Sequence, residues 1–62
     1  MKYTILGELN GRRINVQSDD AIAASAVACA LSEKWGTRVE LWSGLRRLEV
    51  YEDGRAMGGD LK

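Results

Sequence analysis

The sequence predicts an α+β domain of ββαββ order, a four-stranded, mainly antiparallel sheet with one helix packed on one face. Two pairs of alternating apolar segments, within residues 3–17 and 38–52, each turn on a glycine-containing dipeptide. Between them lies an alanine-rich stretch led by Ser18-Asp19-Asp20, with the composition and the cap of a helix. Strand order is left open, because alternation tells which face a residue takes and not which strand lies beside it.

Tyr3, Ile5, Gly7 and Leu9 alternate with Thr4, Leu6 and Glu8, which marks a strand. Asn10-Gly11 follows, and both residues tolerate the positive φ that a type I′ turn requires. A two-residue loop fixes the register over the second strand, Arg12 to Gln17. It sets Leu9 opposite Arg12, Gly7 opposite Ile14 and Ile5 opposite Val16, so the apolar residues share a face. On the other face Glu8 meets Arg13, Leu6 meets Asn15 and Thr4 meets Gln17, a solvated surface with one cross-strand ion pair.

Ser18-Asp19-Asp20 supplies an N-cap and negative charge for the positive end of a helix dipole, ahead of six alanines between Ala21 and Ala30. The predicted helix runs from about Asp20 to Lys34, with Gly36 as a left-handed cap. Ala24, Val27, Ala28, Leu31 and Trp35 form the stripe expected to pack on the sheet. The opposite stripe reads Ile22, Ala26 and Cys29 before Glu33, small and apolar where charge is the norm.

Arg38 to Ser43 alternates with Val39 and Leu41 inward, and Arg46 to Glu52 with Leu48 and Val50 inward. Pairing Leu41 with Leu48 leaves Gly44-Leu45 as the loop, and glycine in its first position suits a type II′ turn. Asp53-Gly54 ends the last strand. Residues 1–54 are therefore read as the single domain, and 55–62, with Gly58-Gly59 and few apolar side chains, as a flexible C-terminal tail.

A chain of 62 residues holds one thin core, and such cores gain much from a disulfide, a metal or a partner chain. The lone Cys29 and the lack of histidine point away from the first two and leave a partner, in a homodimer or with another protein. Nine basic against nine acidic residues create no overall field toward nucleic acid or an anionic membrane. Met1 to Gly7 lacks the apolar run of a signal peptide, and Ala21 to Ser32 is too short to span a bilayer. The expectation is a cytoplasmic domain with no membrane association.

Without histidine, triads, Cys–His pairs and imidazole acid–base schemes are unavailable. Asp19 and Asp20 read as a helix N-terminus, Cys29 as a small packing residue, and the glycines as turn residues rather than a phosphate loop. The expected protein is non-enzymatic, with no catalytic, cofactor-binding or metal-binding residues. Two surfaces are candidates for partners. The helix stripe of Ile22, Ala26 and Cys29 is the candidate interface for self-association. The outer face of the second hairpin places Arg38, Trp42, Arg47 and Tyr51 together, a pattern that grips single-stranded nucleic acid by stacking and phosphate contacts. Glu40 and Glu49 on that face oppose such binding. In a self-satisfied arrangement, Trp42 would stack on Arg47 and Tyr51 on Arg38, with the glutamates pairing to the arginines.

Val39-Glu40-Leu41-Trp42, Gly44 and Arg46-Arg47-Leu48 together resemble the C-terminal hairpin of a group of small, uncharacterised bacterial proteins, notably from alphaproteobacteria. The resemblance implies the same ββαββ arrangement with an alanine-rich helix, and it implies no activity, ligand or catalytic residue. Gly44-Leu45 departs from that pattern, which carries an acidic residue in this turn.

Overall fold

In the computed structural model, which describes residues 2–58, the chain forms β1 (Tyr3–Leu9), β2 (Arg12–Ser18), α1 (Ala21–Trp35), β3 (Arg38–Ser43), β4 (Arg46–Glu52) and β5 (Arg55–Ala56). The strands make one antiparallel sheet of order β2-β1-β3-β4-β5, with α1 against one face. Both β2 and β3 run antiparallel to β1, so the β2–α1–β3 connection straddles β1.

The α+β class and the ββαββ order are as predicted, but the sheet has five strands where four were expected. The fifth comes from the segment expected to be a flexible tail. Asp53 and Gly54 take φ of 53° and 79°, and Arg55–Ala56 folds back to pair with Glu52 and Tyr51. Asp-Gly is a type I′ turn dipeptide like Asn-Gly, so the same chemistry that closes the first hairpin adds this strand. Met57 N–H donates to the Val50 carbonyl at 2.7 Å, and Gly58 N–H donates to the Glu49 carboxylate. The rest of the expected tail, residues 59–62, lies outside the described residues.

β1 and β2 pair in the predicted register, from Leu9 opposite Arg12 to Tyr3 opposite Ser18. A Cβ on Gly7 would lie 2.9 Å from Ile14 Cδ1 and 3.4 Å from Val39 Cγ2, so the bare glycine lets Ile14 lie across β1. The Asp20 carboxylate caps α1 by accepting from the Ile22 N–H at 2.9 Å and the Ala23 N–H at 3.4 Å, and Gly36 at φ 59° ends it.

The buried stripe of α1 is Ala24, Ala28 and Ser32, rotated from the one predicted, while Leu31 and Trp35 are half-buried and Val27 is 41% exposed. The cause is the β4–β5 turn, which docks on the helix. Ser32 Oγ donates to the Cys29 carbonyl at 2.8 Å and accepts from Gly54 N–H at 2.9 Å, and the Cys29 thiol donates to the Gly54 carbonyl at 3.2 Å. Holding that turn brings the Ser32 flank down and leaves the Val27 flank outside. Ile5, Ala24, Ala28, Val39 and Leu41 form the core, with Tyr3, Leu31, Leu48 and Tyr51 packed around it. The two alanines let the helix approach the sheet closely.

In the second hairpin, Ser43 faces Arg46 and Trp42 faces Arg47 around Gly44 at φ 62°, as the turn predicts. The register then shifts between Leu41 and Trp42, so Leu41 lies opposite Glu49 and Val39 opposite Tyr51. Leu48 is the extra residue of a β-bulge, and beyond it the alternation of β4 is inverted. Leu48 still packs on the core, but Tyr51 joins it there, and Val50, 4% exposed, lies opposite Glu40 on the face away from the helix.

Candidate interaction surfaces

On the open face Glu40 is the hub. It shares that face with Arg38 and Trp42 because all three alternate on β3, and Arg47 joins them as the cross-strand partner of Trp42. Trp42 Nε1–H donates to Glu40 Oε1 at 2.9 Å, while Glu40 Oε2 lies 3.3 Å from Arg38 and 3.8 Å from Arg47. These partly exposed pairs contribute about 1 kcal/mol or less each.

Of the four residues expected on a ligand face, Arg38, Trp42 and Arg47 therefore come together and Tyr51 does not. The Leu48 bulge turns Tyr51 toward α1, where it lies beside Ser25 and Cys29. Burial first, then the charge of Glu49 and the proximity of Cys29, push the Tyr51 phenol above its usual range, with Ser25 hydrogen bonding in the opposite sense. What the open face offers a nucleotide is thus one aromatic ring whose N–H is engaged and two arginines that share a carboxylate. A depression of about 430 Å³ beside the cluster has Leu6 and Gly7 in its lining and sets Arg13 and Arg38 against Glu8 and Glu40.

The helix stripe is also divided. Ile22 is 80% exposed and Ala26 is exposed, but Cys29 is half-buried with its thiol on the Gly54 carbonyl, so it belongs to the docked turn rather than to an outer interface. Nothing in the sequence spacing separated these three, because the docking turn at Gly54 lies 25 residues beyond Cys29 along the chain.

A surface missed from sequence runs along β2. This seven-residue strand forms one border of the sheet, and its Val16, paired with Ile5 and expected under the helix, is 42% exposed. Val16 and Val27 both lie outside the core because α1 is drawn toward β4 and β5. The alternation of β2 was legible, but its position at the border required the strand order.

Among the described residues no helix is long and apolar enough to cross a membrane, and no group of three or more His, Cys, Asp or Glu side chains could hold a metal ion. Compared with protein-family models, curated proteins and solved structures, the chain matches none.

Proposed function

We propose that this chain is a small non-enzymatic interaction domain of the cytoplasm that associates with a second copy of itself. The observation that carries the reading is the long β2 border with half-exposed Val16 beside it and Val27 on the flank of α1. A strand edge presents backbone N–H and C=O groups that pair readily with another strand, and proteins commonly blunt such edges with proline, bulges or inward charge. β2 has no proline, and its pairing with β1 is unbroken from end to end. A thin core adds a second motive, since apolar surface buried against a partner adds to the stability of so small a domain.

The open face supports less. Its arginines and its one tryptophan already converge on Glu40, so single-stranded nucleic acid would have to displace that carboxylate. Sedimentation equilibrium over a concentration series tests the main reading. A monomer–dimer equilibrium is expected below high micromolar concentration, and a clean monomer throughout overturns it.

A further inference from the structure

We propose that a second copy pairs with β2 edge to edge, antiparallel, about a two-fold axis through Asn15, so that two sheets become one. The inference rests on the self-association reading and adds its surface and register.

The hairpin geometry decides which backbone groups are on offer. Leu9 and Arg12 flank a two-residue turn and so exchange both of their hydrogen bonds, and alternation makes Gly7–Ile14, Ile5–Val16 and Tyr3–Ser18 pairs of the same kind. The N–H and C=O groups of Arg13, Asn15 and Gln17 therefore point away from β1. Antiparallel pairing centred on Asn15, the midpoint of Arg12–Ser18, engages all three: Asn15 meets its own copy and Arg13 meets Gln17 of the second copy. Centring on Ile14 or Val16 leaves an outward residue unpaired at one end.

Side chains favour the same register. On the helix side Ile14 comes opposite Val16 of the second copy and Val16 opposite its Ile14, which covers the apolar surface that α1 leaves open. Charge selects the direction. β2 begins at Arg12-Arg13 and leads into Asp19-Asp20, so antiparallel pairing sets each basic end against the acidic end of the other copy, whereas parallel pairing sets like against like. Arg13 keeps Glu8 as its neighbour on β1. The opposite border is poorer for pairing, because β5 has only two residues and follows a turn held to α1.

The test compares four proteins by sedimentation equilibrium, with circular dichroism as the check on folding. Asn15→Pro removes an outward N–H that the β1 ladder does not use, and Val16→Lys puts a charge in the seam. Both should raise the dimer dissociation constant by about a hundredfold or more, and Ile22→Lys should leave it unchanged. Independently, Asn15→Cys in a Cys29→Ser background should form an intermolecular disulfide on mild oxidation, because directly opposed residues of such a pair have Cα atoms about 5.5 Å apart. A dimer that Ile22→Lys splits, or one in which Asn15→Cys fails to cross-link and Val16→Lys changes nothing, overturns the edge assignment while self-association stands. A wild type that stays monomeric overturns both.

Discussion

Replacing Gly54 with alanine probes the clasp between the β4–β5 turn and α1. At φ 79° a Cβ costs about 1 kcal/mol in backbone strain. The new carbon would also lie 3.0 Å from Glu33 Oε2 and 3.2 Å from Glu33 Cβ. The carboxylate can swing aside, but Cβ is fixed to the helix, so the turn must back away and loosen its hydrogen bonds to Ser32 and Cys29. That relaxation adds about 1–2 kcal/mol, for a total of about 2–3 kcal/mol. The control is Gly36→Ala, at φ 59° with nothing within 4 Å of the added carbon, where strain alone costs about 1 kcal/mol. In urea, with a slope of about 1 kcal/mol per molar for so small a domain, the midpoint should fall by about 2–3 M for Gly54→Ala and about 1 M for Gly36→Ala. All samples are compared at one concentration, because the proposed self-association would shift the midpoint. Adding Glu33→Ala removes the Oε2 and Cγ contacts and should restore part of the difference. Equal losses for the two glycines would refute a tight contact between this turn and the helix.

Ser32→Ala leaves the Gly54 N–H without its acceptor and should cost about 1–3 kcal/mol, with faster hydrogen exchange at Gly54 as the local readout. Tyr51 holds its proton more tightly in the fold than in the unfolded chain, so stability is intact below about pH 10 and falls as pH rises through the usual phenol range toward the folded value. Tyr51→Phe should flatten that alkaline decline in the urea midpoint, and an unchanged slope would count against a buried phenol. Glu40→Gln keeps an acceptor for the Trp42 indole but removes both ion pairs, and should change stability by less than about 1 kcal/mol. The same substitution removes the negative charge that Arg38 and Arg47 share, so salt-sensitive quenching of tryptophan fluorescence by an oligothymidylate should appear in the variant and be absent from the wild type. Quenching of the wild type that Trp42→Ala abolishes would show that Glu40 does not hold the face closed.

The turn and register of the first hairpin were legible because Asn10-Gly11 sets a two-residue turn and the apolar pattern of β1 and β2 agrees with the register it imposes, although the cross-strand ion pair expected between Glu8 and Arg13 does not form. The caps of α1 were legible for the same kind of reason, since Asp20 and Gly36 act locally. The second hairpin shows where alternation stops being informative. Leu48 and Val50 are both apolar and two apart, which fits one buried face, yet an extra residue in β4 sends them to opposite faces, Leu48 partly buried against the core and Val50 buried opposite Glu40. That bulge moved Tyr51 out of the candidate ligand face and left Arg38, Trp42 and Arg47 in it. The contacts of Cys29 and Ser32 with Gly54 were not legible, because Gly54 is far along the chain and nothing local announces them. The exposed border at β2 depended on strand order, which is a property of the whole sheet.

The strand order also divides the assembly of the sheet in time. Pairings of β1 with β2, β3 with β4 and β4 with β5 are local hairpins, which close on a scale of about 1–10 μs. The β1–β3 pairing is different, joining Gly7 to Val39 and Tyr3 to Ser43 across the whole helical segment. Closing that loop carries the entropy of a long chain, and α1 reduces it by replacing fifteen residues of coil with a rod of about 22 Å. Ile5 and Leu41, which face each other across the join and are both buried, should therefore govern how fast the domain folds. The Gly54 clasp ties α1 to the β4–β5 turn without any group of β1 or β2, so it can form before that join and hold the helix over the strands that β1 must meet.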